Sequence, residues 1–370
     1  MATQARKPAP KKRKKKGTAR RGRQILLGLA VLAVLAAVPL GLVAQAWWKL
    51  NRPFQGYEGT TRDFTVEPGQ GVSQILANLE REGLIADAKL ARSYLIYVLK
   101  DPKLQAGQYR FTGPLSTPEV LARLIKGQVV TASVTVIEGR TLAETAEILA
   151  DAGFGSESKL LAQLRSPELI ADLDPEAQDL EGYLFPETYS FAKGADERQV
   201  VETLVRTFRN RYEREVLPLL ERRQDTRTLR QVVTLASIVE KEAQKAFERP
   251  LIAAVYRNRL DHGIGLQADP TVIYALKRLG KWNGNLRRDD LRLDSPYNTY
   301  RYAGLPPGPI ASPGLASLKA AAEPADVSYI YFVSRNDGTH AFAETLQEHN
   351  ENVEQWQRKY WRDRRRQGKR

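Results

Sequence analysis

The sequence predicts an α+β protein in which an N-terminal apolar helix precedes small strand-and-helix modules and a larger mixed α+β domain. Three observations carry that expectation. Residues 25–44 hold no charge, the segments Asp63–Leu84 and Ser133–Phe154 align without gaps at an offset of 70 residues, and from residue 198 onward long helical periodicities alternate with short aromatic stretches.

The charge of +14 over 370 residues invites a nucleic-acid reading, so its distribution matters. Residues 1–24 carry eleven Lys or Arg and no acid, and residues 357–370 carry eight bases against Asp363. The body between these ends is slightly acidic. It therefore lacks the composition of a basic nucleic-acid face, and no nucleic-acid partner is expected.

The basic arm, 1–24, leads straight into Ile25–Ala44, about the length that a helix needs to cross a bilayer. Trp47 and Trp48 follow where an interfacial aromatic belt would lie. A buried soluble helix would show a polar stripe, which is absent. A cleaved signal peptide is the stronger rival, since Ala44-Gln45-Ala46 has a small-x-small form, but the apolar run exceeds a usual signal core. The expectation is a retained span over 25–48 in the inner, cytoplasmic membrane, crossed once. The positive-inside rule puts the arm in the cytoplasm and the body outside.

No cysteine is present, which removes disulfides and thiolate chemistry. The three histidines, His262, His340 and His349, lack a metal-binding spacing, so neither metal nor cofactor is expected.

A linker over 49–62 precedes the repeat. Each copy opens with alternating apolar positions, Phe64/Val66 and Val134/Val136, as a strand requires. Each continues through a turn glycine, Gly69 or Gly139, into a helix closed by Gly83 or Gly153, where a left-handed cap favours glycine. A further helix and an aromatic strand follow, Gly107–Phe111 in one copy and Gly182–Phe191 in the other. This order resembles the LysM-like fold, which implies modules over 63–130 and 131–197 that hold N-acetylglucosamine polymers or are purely structural. Residues 198–356 then form the expected catalytic domain.

The chemistry falls to carboxylates. No dinucleotide or phosphate-binding loop occurs, and neither Ser312 nor Ser334 has an evident base beside it. Breaking a glycosidic bond needs a carboxylic acid still protonated near neutral pH, which an apolar surrounding provides. Glu240 and Glu242 lie on a helix starting near Leu229 and are 200° apart, so they cannot share one cleft. The apolar arc of Val232, Val233, Leu235, Ala236, Val239 and Ala243 contains Glu240 and has Glu242 at its edge. Periodicity does not choose between them. Either is compatible with a catalytic acid; otherwise one is a buried, hydrogen-bonded or ion-paired anchor and the other a solvated neighbour of Lys241. Glu181 is a third candidate, or a cross-link between subdomains.

Tyr297, Tyr300 and Tyr302 offer faces for pyranose rings, while Gln267, Asp269, Asn298 and Thr299 offer hydrogen bonds. Asp269 before Pro270 also suits a helix N-cap, and Gly304–Pro309 reads as a stiff loop.

Over LEGYLFPETY, ASIVEKEA, RNRL, LQADPTVIY, YNTYRYAGLPPGPIASPG, SLKAA and GTHAF, the sequence resembles the MltG/YceG family of endolytic murein transglycosylases. The resemblance implies a YceG-like catalytic domain in which the second glutamate of E-K-E, here Glu242, is the catalytic acid/base. It implies Gln267, Asp269, Asn298 and Tyr300 as substrate contacts, and Glu181 and Glu240 are counted beside them as substrate-binding candidates. It also implies cleavage of MurNAc-GlcNAc bonds within nascent strands to leave 1,6-anhydro ends, with peptidoglycan strands as substrate and penicillin-binding synthases as partners. Two other readings stay open: a non-catalytic peptidoglycan-binding scaffold and a water-using muramidase. The basic tail, 357–370, lies outside the family pattern and reads as a disordered segment drawn to anionic phosphates.

Overall fold

The computed structural model describes residues 17–367. Most of the expected basic arm and the last three residues of the tail lie outside that range. The chain is mixed α+β and divides into two compact units, residues 1–130 and 131–370.

The first unit begins with helix α1, Gly17–Asn51. Its segment Leu26–Asn51 has an apolar stretch of mean hydropathy 2.7 that is not buried within the protein, so it is long and apolar enough to cross a membrane, and only its end, at Leu50, is buried. Such a helix is consistent with a single-pass anchor. The unit continues with β1, Thr61–Val66, α2, Val72–Arg81, α3, Ala88–Tyr97, β2, Gly107–Thr112, and α4, Thr117–Lys126. β1 and β2 pair antiparallel with Phe64 opposite Tyr109. The pleat turns Phe64, Val66, Tyr109 and Phe111 to one side, where they bury against Ile75, Leu79, Leu95 and Leu124. The α2 chain reverses at Gly83, whose φ of +71° is open to glycine.

The second unit repeats this order. Its elements are β3, Thr131–Thr135, α5, Leu142–Asp151, α6, Glu157–Leu164, and β4, Thr188–Ala192. α2 and α5 stand at the same offset of 70 residues as the sequence repeat. β3 and β4 pair antiparallel with Val134 opposite Tyr189. Between its two strands this copy holds 52 residues where the first holds 40, and the longer stretch contains Glu181 and Gly182.

Then come α7, Glu197–Arg211, which runs through a π turn into α8, Leu217–Arg222, and α9, Leu229–Glu242, opened by a Thr228/Gln231 capping box. They are followed by α10, Arg249–Asp261, α11, Asp269–Arg278, α12, Leu315–Ala322, the antiparallel pair β5, Tyr331–Ser334, and β6, His340–Ala343, and α13, Leu346–Val353. One continuous core joins Val134, Leu142 and Phe191 of the repeat to Phe208, Val232, Ile238, Ile252 and Leu318. Backbone bonds reinforce it, with the Gly139 amide donating to Ser312 O and the Ser312 amide donating to Arg140 O, both at 2.8 Å.

The tail differs from its expectation. Instead of being disordered, the chain stays helical through a π segment and α14, Tyr360–Gln367. Its start is tied to the β5–β6 hairpin, because Asn336 Nδ2 donates to Trp356 O at 2.6 Å and Gln357 Nε2 donates to Ser334 O at 2.7 Å.

Candidate active site

The two glutamates that periodicity leaves equivalent have opposite surroundings. Glu240 is an anchor. Its Oε1 accepts from Arg249 Nη2 at 3.2 Å, its Oε2 accepts from the Gly314 amide at 3.0 Å, and its side chain is 6% exposed. It thereby fixes the start of α12 to the last turn of α9.

Glu242 ends α9 with no cationic partner among the described residues. Its Oε1 accepts a 2.9 Å hydrogen bond from the Tyr256 hydroxyl of α10. Enclosure by protein raises its pKa to about 7, the Tyr256 bond opposes that rise, and the negative charge of Asp269 adds to it. The physical sense is direct: a carboxylate surrounded by protein loses hydration, and one phenol replaces little of it. The side chain nevertheless keeps partial access to solvent. An acid poised near neutrality and reachable from outside is the state that proton donation requires.

Asp269 belongs to the same cluster. Its Oδ1 accepts from the Tyr300 hydroxyl at 2.5 Å, and the phenol is held protonated above its ordinary value by burial and by that bond. Asp269 is not the helix cap that its place before Pro270 suggests. It is the first helical residue of α11, with Ala268 at the cap, and Thr299 Oγ1 accepts from the Ala268 amide at 3.0 Å. Gln267, Asp269 and Tyr300 all expose side chains at this end of α11. Gln267 adopts a φ of +53°, a left-handed conformation unusual for a residue with a Cβ. Its amide donates to Thr299 O at 3.2 Å, which holds the turn.

Asn298 sits elsewhere. It is fully buried, its Nδ2 donates to Leu291 O and Leu293 O, and its Oδ1 accepts from the Tyr300 amide at 3.0 Å. All of its hydrogen-bonding capacity near the site goes into the loop that presents Tyr300. Tyr302 donates to Asp294. Tyr297 packs against Tyr274 beneath Arg278, away from the cluster.

Glu181 is 6% exposed and cross-links elements within the second unit. Its Oε1 accepts from the Leu142 amide at the start of α5 at 2.9 Å, and its Oε2 accepts from the Tyr274 hydroxyl of α11 at 3.2 Å. Burial, with the nearby Asp179 charge, lifts its pKa to about 8. Glu181 lines a cavity of about 640 Å³ and another of about 350 Å³. Glu242 borders neither.

Two residues at the site had no role in the sequence reading beyond their place in the VYRNRL stretch. One is Tyr256. The other is Arg259, whose Nε donates to Ile330 O at 2.7 Å and whose Nη1 donates to Gly265 O and Leu266 O, while its guanidinium lies over Tyr331. Burial lowers its pKa. It braces the 265–269 turn against β5. A helical wheel reads both as core-facing positions of an apolar helix, so only their tertiary partners reveal them.

Several comparisons bear on this arrangement. The model of the YceG-like family matches residues 64–355. The endolytic murein transglycosylase of Bacillus subtilis (strain 168) is 32% identical over 323 residues, which make up 83% of this chain and 88% of that protein. The endolytic murein transglycosylase of Streptococcus pneumoniae serotype 2 (strain D39) is 30% identical over 319 residues, 78% of this chain but 57% of that longer protein. A crystal structure of a yceG-like protein from Listeria monocytogenes aligns with a TM-score of 0.53 at 31% identity, covering 79% of this chain and 98% of that one.

Proposed function

The chain belongs to the YceG-like family, and from that premise we propose that it is an endolytic murein transglycosylase with Glu242 as its acid/base. The observation that carries the site assignment is the state of Glu242: a carboxyl at a helix end, hydrogen-bonded by Tyr256, with its pKa raised to about 7.

In this mechanism the protonated Glu242 gives its proton to the oxygen linking MurNAc to GlcNAc as the C1–O bond breaks and an oxocarbenium-like sugar develops. The resulting carboxylate takes the proton of the muramic acid 6-hydroxyl, whose oxygen bonds C1 and closes a 1,6-anhydro ring. The acid is regenerated and no water is consumed. Tyr256 orients the carboxyl and stabilises its charged form. Asp269 opposes ionisation before the proton is given. Gln267, Asp269 and Tyr300 contact the sugar, and Asn298 acts through Tyr300. Glu181 and Glu240 hold the framework.

The remainder of the reading follows from the same premise. Residues 63–130 and 131–197 are LysM-like modules, supported by two strand–helix–helix–strand units with antiparallel pairing, and residues 198–356 form the catalytic domain. α1 anchors the chain in the inner membrane with its N-terminus cytoplasmic, so that cleavage falls on nascent strands and ends their growth beside penicillin-binding synthases.

One observation favours a second reading. Asp269 is a second carboxylate whose charge acts on Glu242, and a water-using muramidase would employ it as a base. Mass spectrometry of glycan fragments released by the purified chain decides. Anhydro ends that vanish with Glu242→Gln, at an unchanged melting temperature, support the transglycosylase. Reducing ends support the muramidase, and undiminished anhydro ends in the variant remove Glu242 from the mechanism.

A further inference from the structure

Ala268, which lies between Gln267 and Asp269, has its own amide and carbonyl joined through two threonine hydroxyls. Its amide donates to Thr299 Oγ1 at 3.0 Å, and its carbonyl accepts from Thr271 Oγ1 at 2.7 Å. The two hydroxyl oxygens lie 2.9 Å apart. A threonine hydroxyl carries one hydrogen. That of Thr271 is committed to the Ala268 carbonyl, so the hydrogen between the two hydroxyls comes from Thr299, and all three bonds run one way around a closed ring. Ala268, Thr271 and Thr299 are 1%, 0% and 2% exposed. Groups buried this deeply have no solvent to turn to when a partner is lost, so each bond is costly to break.

The ring is part of a larger fastening between two segments. The Gln267 amide donates to Thr299 O at 3.2 Å, so Thr299 grips two consecutive residues of the 265–269 turn, one with its backbone and one with its side chain. A left-handed conformation such as that of Gln267, with φ of +53°, persists where the surroundings over-determine it. On the other segment Thr299 stands between Asn298, whose amide is bonded to Leu291 O and Leu293 O, and Tyr300, whose hydroxyl donates to Asp269 Oδ1 at 2.5 Å. Asp269 follows Ala268 and Tyr300 follows Thr299, so both members of that pair are the immediate chain neighbours of ring residues. Their placement matters to the acid: enclosure by protein is the main cause of the raised Glu242 pKa, and the charge of Asp269 adds to it. Thr299 itself, at 2% exposure, does not reach a sugar.

We propose that Thr299, together with Thr271, is a positioning residue: the closed ring of hydroxyls sets where Asp269 and Tyr300 stand relative to Glu242. The proposal rests on Glu242 being the acid of a glycan-cleaving site.

Three variants test this. Thr299→Val keeps the shape of the side chain and removes its hydroxyl, Thr271→Val opens the ring at the other hydroxyl, and Thr299→Ser keeps it closed. A merely structural role would lower the melting temperature and leave the pH dependence alone. In the full-length chain in detergent, the fall of kcat/KM with rising pH is expected to move to lower pH in both valine variants, by no more than in Asp269→Asn, and to stay in place in Thr299→Ser. The valine variants are also expected to lose kcat/KM by up to about a hundredfold, the scale of a one-ångström misplacement in a site. Adding Thr299→Val to Asp269→Asn is expected to move the midpoint no further, because the carboxylate through which the ring acts is already gone. An unmoved midpoint in folded valine variants, or a further shift on top of Asp269→Asn, overturns the proposal. So does a Thr299→Ser midpoint displaced toward that of Asp269→Asn, a result that needs neither valine variant to fold. Infrared titration of the carboxyl signal that Glu242→Gln removes reads the same midpoint without turnover. Absence of any cleavage by the wild-type chain therefore counts against the transglycosylase reading, while the infrared midpoints still judge the ring.

Discussion

The Tyr256 hydroxyl donates to Glu242 Oε1 at 2.9 Å, joining the middle of α10 to the last residue of α9. This one bond opposes the rise in the acid's pKa, whereas Asp269 reinforces it.

The two neighbours are therefore expected to shift the pH profile in opposite directions. The acid must be protonated, so kcat/KM falls as pH rises through about 7. Tyr256→Phe removes stabilisation of the carboxylate and moves that fall to higher pH, by about half to one pH unit for a hydrogen bond of ordinary strength. Asp269→Asn removes a like charge and moves it lower. Profiles that shift together, or not at all, refute this account of the site.

Glu181 governs stability more than rate. Its folded pKa of about 8 exceeds its ordinary 4.5, so the folded state holds an extra proton between those values. Stability falls as pH rises through that window and is fullest at its acid end. Glu181→Gln is expected to flatten the decline, leaving the variant more stable than wild type at pH 9, by at most about 3–5 kcal/mol. Thermal melts from pH 5 to 9 check this.

Glu240→Gln separates anchor from acid. Losing the charge beside Arg249 is expected to lower stability by about 1–3 kcal/mol while the alkaline limb of the pH profile stays in place. A profile displaced as far as that of Asp269→Asn would mean that Glu240 shares in the chemistry.

Gly182→Ala is expected to destabilise without touching Glu242. Gly182 has a φ of +86°, and a Cβ there would come within 2.4 Å of Pro309 Cβ. Strain and overpacking of this kind cost about 1–3 kcal/mol, read as a fall in denaturation midpoint.

Much of this was legible in the sequence because local rules were enough. The apolar run became α1, the repeat reappeared at its own spacing, and Gly83 and Gly153 took the left-handed φ that their places implied. The helical wheel could place Glu240 and Glu242 on different sides but could not rank them, since Arg249, Gly314 and Tyr256 meet them only through tertiary packing. Asn298 misled for the same reason: an exposed-looking polar loop residue proved to spend its amide on Leu291, Leu293 and Tyr300. The tail's charge suggested disorder, and two side-chain bonds to the hairpin carried the helix onward.

The second copy of the repeat and the Glu242 helix share a single apolar interior, from Val134 through Leu318. A fragment cut at residue 198 would bare the surfaces of Val232 and Phe208 that this copy helps to shield, and would lose the Gly139–Ser312 and Glu181–Tyr274 fastenings. Such a fragment is better regarded as half a fold than as an isolated enzyme, and the shortest piece worth expressing begins ahead of Thr131.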